Sequence, residues 1–410
     1  MKAHHRTRAA ATVGALLLLT AACGNGETDN EPEPAAEETP HGYVEGAEET
    51  AETQTRLVLA DAETGEGAVL DLATEETTAL QAPPGVERAL GDGRFAYLAG
   101  PEGQVGVVDS GGWTVDHGDH VHHYRTAPRA VGTVEAPGLA AVHADTARTV
   151  LSLDDGTVRL LDRAPLEDEG AVGEPTALET EGAAGVAVPH EGHLLVPVAA
   201  PGGEAPERIE VRDADGATVA TLDESCPEAG GAAATRRGVA FACADGALLV
   251  SAEDDTFTGE KIGYPEGTEP AARATSFTHR PGSDTLAATA GEDGAWALDL
   301  AARSWTRVET GPLLAVNAVG DGATLLALTE DGELRAHDLA DGRVTASTPL
   351  LERPPGEGEP APVIEVDTAR AYVNDPSAGV VHEIDHQDDL RLARTLALDF
   401  APDVMVETGR

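Results

Sequence analysis

The chain has 410 residues and combines 73 acidic with 27 basic side chains, which gives a formal net charge of −46 at neutral pH. This charge excludes nucleic acid as a partner, because the phosphate backbone would be repelled. Acidity of this degree is typical of a solvated surface, and it raises the concentration of cations near the protein.

The N-terminus has the pattern of a secretion signal. Its first eight residues are rich in basic side chains, and residues 9–20 form an apolar run that is too short to span a bilayer. Ala21 and Ala22 precede Cys23 as in a lipobox, so we expect residues 1–22 to be cleaved and Cys23 to carry a lipid. The protein would then be anchored by lipid to the outer face of the cell membrane. A plain signal peptide cut nearby is the alternative.

Residues 23–55 are predicted to form a disordered, acidic tether behind the lipidated cysteine. From Gly24 to Thr55 the chain holds ten acidic residues and no Lys or Arg, with little apolar surface to bury. His41 stands among acidic neighbours. It is either part of a weak, mobile metal site or a solvated linker residue.

Residues 56–410 repeat one pattern: a short apolar strand, a turn rich in Asp and Gly, and a second apolar strand that often ends in Asp. Such units include residues 150–162, 286–299 and 325–338. Even spacing, Asp-Gly hairpins and a unit of about 40 to 50 residues predict an all-β fold, a β-propeller with four strands per blade. We expect about eight blades, with seven as the alternative, and a ring closed by a C-terminal strand from residues 401–406 that joins the first blade. Because aromatic residues are scarce, the core should consist mainly of Val, Leu and Ala.

The segment from Trp113 to Tyr124 concentrates four of the 14 histidines and two aspartates in twelve residues. Neutral imidazole and carboxylate at short spacing suit zinc, which takes nitrogen and oxygen ligands in a four-coordinate site. An aromatic residue at each end indicates a segment packed against a scaffold. A solvated histidine-rich surface without a physiological metal is the alternative. The candidate ligands within the segment are His117, Asp119, His120, His122 and His123.

Histidines outside this segment have separate interpretations. His143 lies on the predicted first strand of the next unit, where innermost strands line the central funnel of a propeller. It is either a further ligand or a satisfied surface histidine. We predict that His190 and His193 lie at a hairpin tip. We expect His337, His382 and His386 at exposed strand ends.

Two cysteines remain once Cys23 is assigned to the lipid. In an oxidising compartment Cys226 and Cys243 most simply form a disulfide. A pair of thiolate zinc ligands is the weaker alternative, because both lie far in sequence from the histidines. The sequence contains no GxSxG, no phosphate-binding glycine loop and no HExxH motif, so we predict that the protein is not an enzyme.

The histidine segment resembles the signature of the AztD-type zinc metallochaperones. Further similar stretches are residues 42–49, Cys226-Pro227 with residues 241–246, and residues 370–376 with 381–385. The resemblance implies an extracytoplasmic propeller that binds Zn²⁺ and passes it directly to the solute-binding protein of a zinc ABC importer. We expect a monomer. Carried over by position, the implied ligands are His117, Asp119, His120 and His122, with His143 as a candidate from the neighbouring strand.

The competing hypothesis is an extracellular propeller enzyme, or an adhesion scaffold, whose metal site is catalytic or incidental. A catalytic zinc site keeps an open position for water and needs an acid or base beside it. The sequence offers no such companion residue next to the histidine segment, which favours a carrier without turnover.

Overall fold

The computed structural model describes Val44 and residues 46–117, 120–180, 182–356 and 358–410. The predicted signal sequence, Cys23, His41 and Asp119 lie outside the described residues. By its internal contacts the chain divides into two compact units, Met1–His41 and Gly42–Arg410. All of the structure described below belongs to the second unit.

The second unit is built from short strands, numbered β1 to β34 in chain order. The first seventeen are Glu48–Thr50, Arg56–Ala60, Glu66–Asp71, Thr77–Gln81, Arg88–Gly91, Phe95–Ala99, Gln104–Asp109, Gly112–Asp116, Val121–Arg125, Arg129–Glu135, Leu139–Ala144, Arg148–Leu153, Val158–Asp162, Thr176–Ala177, Val188–His190, His193–Ala199 and Pro206–Arg212. The remaining seventeen are Thr218–Thr221, Ala232–Thr235, Gly238–Cys243, Gly246–Glu253, Thr256–Gly263, Thr285–Thr289, Gly294–Asp299, Ser304–Glu309, Leu313–Ala318, Thr324–Thr329, Glu333–Asp338, Val344–Pro349, Ile364–Val366, Arg370–Asp375, Val380–Asp385, Arg391–Ala397 and Val404–Thr408.

These strands form seven four-stranded and two three-stranded antiparallel sheets within the described residues, which confirms the predicted all-β class. Eight of the sheets follow each other along the chain. Their strand orders are β34-β2-β3-β4, β5-β6-β7-β10, β11 to β14, β15 to β18, β19 to β22, β23 to β25, β26 to β29 and β30 to β33. The sheet of β23 to β25 is extended by an isolated bridge between Thr278 and Ala287. The ninth sheet, β1-β9-β8, carries the histidine segment.

The two ends of this unit meet in one sheet. Strand β34, Val404–Thr408, pairs antiparallel with β2, Arg56–Ala60, along the full length of both strands. Every residue of both strands is buried, because apolar side chains from neighbouring sheets cover both faces. The sequence predicts this closing strand at residues 401–406. The observed strand starts three residues later and ends two residues later.

The core lies between successive sheets and consists largely of Val, Leu and Ala, as the composition predicts. The cluster between the second and third sheets includes Phe95, Tyr97 and Leu151, none of which is exposed. Trp296 and Trp305 form a buried aromatic pair, edge to face with centroids 5.7 Å apart. A disulfide joins Cys226 to Cys243 and confirms the predicted pairing.

The N-terminal segment differs from its prediction, because strand β1 lies within residues 23–55 of the expected tether. Its residues Glu48–Thr50 pair with His123 to Arg125 of β9. Edge pairing relies on main-chain hydrogen bonds and needs no apolar pattern, so an acidic sequence can supply it. An ion pair of 2.8 Å between Glu48 and Arg125 reinforces the register.

Helix is scarce in the described part of the chain. It includes a five-residue π-helical turn, Pro165–Glu169, and a three-residue 3₁₀ turn, Pro270–Ala272. None of the helices in the described residues is long and apolar enough to cross a membrane.

Candidate metal centre

The histidine segment is a hairpin inserted into the second sheet. In the sequence, strands β8 and β9 come between β7 and β10. In the structure, β7 and β10 pair directly with each other in that sheet. The chain leaves the sheet after Asp109 and returns at Arg129, and these two residues face each other across the β7–β10 pair. The hairpin therefore projects from a fixed base.

Asp109 fastens this base. Its carboxylate is fully buried and accepts two hydrogen bonds from the Arg94 guanidinium, at 3.2 and 2.9 Å. It also accepts the amide of Gly111 at 3.0 Å and a bond from Arg129 at 3.3 Å. One buried charge thus ties together both ends of the insertion and the neighbouring strand β6, because a buried carboxylate must be paired to be tolerated.

The aromatic residues that flank the segment pack against this base, as the sequence predicts. The Arg94 guanidinium lies 3.9 Å from the ring centroid of Trp113, a cation–π contact. Trp113 stacks on Tyr124 with centroids 5.5 Å apart, and both rings are buried. The lower half of the hairpin is therefore rigid, and its tip is presented to solvent.

A second arginine closes the neck of the hairpin. Arg56 donates to the carbonyl oxygens of Ser110 and Thr126, which stand on the two sides of the neck. Gly111 is needed here for two reasons. Its φ of +76° is in the left-handed region, and a Cβ at this position would lie 2.5 Å from the carbonyl oxygen of Thr126.

Three imidazoles meet at the tip. The ligand atoms of His117, His120 and His122 all lie within 4.8 Å of one another. Their ring centroids are 4.8 to 5.4 Å apart. The main chain brings them together, because the amide of His117 donates to the carbonyl oxygen of His120 at 2.9 Å and closes the turn. We refer to these three residues as the histidine triad.

The triad is close to the geometry of a zinc site. Nitrogen ligands at about 2.0–2.1 Å from a tetrahedral zinc ion are about 3.4 Å apart, so the ligand atoms need to approach one another by at most about 1.4 Å. His117 and His120 are exposed and His122 is half-buried, which allows this movement without repacking a core. The arrangement can supply three ligands and leaves the fourth position to another group.

Glu49 contacts the histidine triad, although the sequence pattern does not single it out. Its carboxylate oxygen lies 2.8 Å from Nδ1 of His122. Since a carboxylate only accepts, Nδ1 of His122 carries the proton and Nε2 is left as the metal-binding atom. The Glu49 charge also acts on the neighbouring phenol, because burial and then this charge raise the pKa of Tyr124. Only the pairing of β1 with β9 reveals this contact.

His123 points to the other face of the hairpin, because successive residues of a strand alternate. Its Nδ1 forms a hydrogen bond of 2.9 Å with the hydroxyl of Thr114, which stands opposite it on β8. The structure therefore does not bring His123 into the triad. Instead it lines a separate cavity.

His143 is also placed apart from the triad. It lies on β11, the first strand of its sheet, as predicted. Burial lowers its pKa to about 4, and the charge of His279 contributes in the same direction. His143 is therefore neutral at neutral pH and belongs to the surroundings of His279 rather than to the histidine cluster.

The structure also shows the surroundings of the histidines that are predicted at a hairpin tip or at strand ends. His190 and His193 face each other beside the turn of the β15–β16 hairpin, as predicted. The prediction of exposed strand ends is wrong for His337 and His382, which are only 2% and 9% exposed. Both stand on the third strand of a four-stranded sheet, inside the sheet and not at its edge, and their side chains are covered by what packs on the face of that sheet.

Comparison with known proteins confirms the predicted resemblance. No protein family model matches the chain. The zinc chaperone AztD of Citrobacter koseri is 25% identical over 341 residues, which cover 79% of each chain. The crystal structure of Citrobacter koseri AztD superimposes with a TM-score of 0.72 and 19% identity, covering 88% of this chain and 100% of that one. The structure of its apo form gives a TM-score of 0.71 with 18% identity, covering 87% and 98%. The similar Citrobacter koseri protein is a zinc chaperone, which supports the predicted non-enzymatic role.

Glu49→Gln should weaken zinc binding about tenfold, because it removes the carboxylate that orients His122 and fixes its tautomer. Competition with a chromophoric chelator measures the affinity. Glu48→Gln is the matched control, since Glu48 precedes Glu49 on the same strand and pairs with Arg125 instead. Equal affinities of the two variants would contradict a positioning role for Glu49.

Proposed function

We propose that this protein is a zinc metallochaperone. It binds Zn²⁺ at the tip of the β8–β9 hairpin and transfers the ion directly to the solute-binding protein of a zinc ABC importer. The ligands are His117, His120 and His122. Asp119, which stands between the first two in sequence, is the candidate for the fourth position.

The convergence of the triad is the observation that carries this proposal. Three imidazoles within 4.8 Å of one another form a donor set that suits zinc, whereas magnesium and calcium favour oxygen ligands. Their exposure on a rigid base suits a carrier, because the ligands of an acceptor can approach the bound ion. The similarity to the zinc chaperone AztD of Citrobacter koseri supports the same function.

The proposed location is the outer side of the cell membrane. The Cys226–Cys243 disulfide supports an oxidising compartment, as does the similarity to AztD. Cleavage after residue 22 and lipid attachment at Cys23 would tether the monomer there, with the segment from residue 23 as the link to residues 56–410.

The proposed architecture is an eight-bladed propeller. The first strands of successive sheets touch in series from β34 through β5, β11 and β15 to β19, and from β23 through β26 and β30 back to β34. The amide of Gly231 donates at 2.7 Å to the carbonyl oxygen of Thr275 and links the two series. Pairing of β34 with β2 would then close the ring, as expected for propellers.

The protein should bind close to one tight equivalent of zinc, and His117→Ala with His120→Ala should abolish it, because one imidazole cannot hold the ion. Equilibrium dialysis followed by metal analysis measures the stoichiometry, and circular dichroism should show that the β structure is retained. The matched control is His190→Ala with His193→Ala, which removes two histidines from another hairpin tip. Full stoichiometry in the first double variant would refute the site.

Transfer should proceed through a complex with the acceptor, because a tight site releases zinc too slowly to supply an importer. Loaded protein is mixed with the metal-free solute-binding protein in the presence of excess chelator. The transfer rate should rise with acceptor concentration and be little affected by the chelator. A rate equal to spontaneous release at every acceptor concentration would make the protein a zinc buffer.

A further inference from the structure

A cavity lies on the face of the β8–β9 hairpin that is opposite to His122. It has a volume of about 310 Å³ and is lined by Thr114 and His123 of the hairpin, and by Thr53 and Thr55 of the segment that follows β1. We propose that this cavity binds an oxyanion, either a carboxylate or a phosphate. The inference goes beyond zinc handling and does not depend on it.

Three of the twelve residues that line this cavity are arginines, in a chain where acidic residues greatly outnumber basic ones. Arg236, Arg280 and Arg410 all line it. Arg280 donates to the carbonyl oxygens of Val319 at 2.8 Å and Gly320 at 3.4 Å. These neutral acceptors hold its guanidinium in place without neutralising the charge. A fixed, charged fork of this kind is suited to carboxylate and phosphate.

Arg236 supplies a second donor group from the mouth of the cavity. Its side chain is 77% exposed, and its nearest acidic partner, Asp116, lies 4.0 Å away. At that distance the contact is at the limit of an ion pair and is weakened by solvent. Arg236 can therefore turn toward an incoming anion at little cost.

Two carboxylates also line the cavity, and both are engaged within the protein. Glu407 lies 3.1 Å from Arg410 and is buried, and this burial raises its pKa to about 7 despite the opposing charge of Arg410. Asp367 accepts the phenol of Tyr372 at 3.0 Å and the amide of Arg370 at 2.6 Å. Arg410 is thus paired with Glu407, which leaves Arg236 and Arg280 to the ligand.

The arginines of this cavity also act on the nearby His279. Burial, then the charge of Arg410 and to a smaller extent that of Arg280, lower the pKa of His279 to about 4. Hydroxyl groups of Thr53, Thr55 and Thr368 also line the cavity, and Thr114 is held in its wall by a hydrogen bond with His123. Guanidinium and hydroxyl donors around one small cavity are the chemistry that recognises an oxyanion.

Isothermal titration calorimetry of the metal-free, full-length protein tests this inference, with inorganic phosphate and succinate as separate probes at constant ionic strength. One saturable equivalent of either anion is expected, and the preferred probe identifies the source as phosphate-like or carboxylate-like. Arg236→Gln should weaken binding about tenfold, because it removes one charge-assisted contact. Arg236→Gln with Arg280→Gln should abolish it.

Arg343→Gln is the matched control, because Arg343 pairs with Asp341 on an exposed turn away from the cavity. It should bind as the wild type does. Absence of saturable binding of both anions to the wild type would overturn the inference. So would wild-type affinity in Arg236→Gln, which is on the surface and should fold normally.

Discussion

The buried carboxylate of Asp109 is the constraint on which the position of the candidate metal centre depends. It receives Arg94 and Arg129 and the amide of Gly111, and so it joins the strand before the hairpin to the strand after it. Breaking a buried ion pair by removing one partner costs about 3–5 kcal/mol, because the remaining charge is left without compensation. The hairpin is therefore held by the four-stranded sheet from which it projects, and this fixes the position of the triad at its tip.

Strand alternation then divides the hairpin between two kinds of chemistry. One face carries His122 beside Glu49, and the tip adds His117 and His120. The other face carries Thr114 and turns toward an arginine-lined cavity. Because adjacent residues of a strand point to opposite faces, His122 and His123 serve different surroundings although they are neighbours in sequence. Strand β1 brings Glu49 to the face that carries His122, where the two side chains form a hydrogen bond.

The repeating strands and the histidine segment could be predicted from the sequence, because both depend on local patterns. Apolar strands with Asp-Gly turns determine their own hairpins, and four histidines in twelve residues mark the segment as a candidate metal centre. Trp113 and Tyr124 predict a packed segment, and both rings are buried. The pairing of Cys226 with Cys243 follows from their number and compartment.

Long-range pairing and the choice of face could not be predicted. Glu49 is 73 residues from His122, and the acidic sequence of β1 has no apolar alternation that would mark it as a strand. The burial of His337 and His382 depends on neighbouring sheets that the local sequence does not show. The sequence also does not show which of the two neighbours, His122 or His123, turns toward His117 and His120.

Zinc K-edge X-ray absorption of the full-length protein loaded with one equivalent tests the proposed centre most directly. A four-coordinate shell of nitrogen and oxygen at about 2.0–2.1 Å is predicted, with the outer-shell scattering of three imidazole rings. A shell of oxygen alone, a single imidazole, or sulfur scattering at about 2.3 Å would contradict the assignment of zinc to the histidine triad.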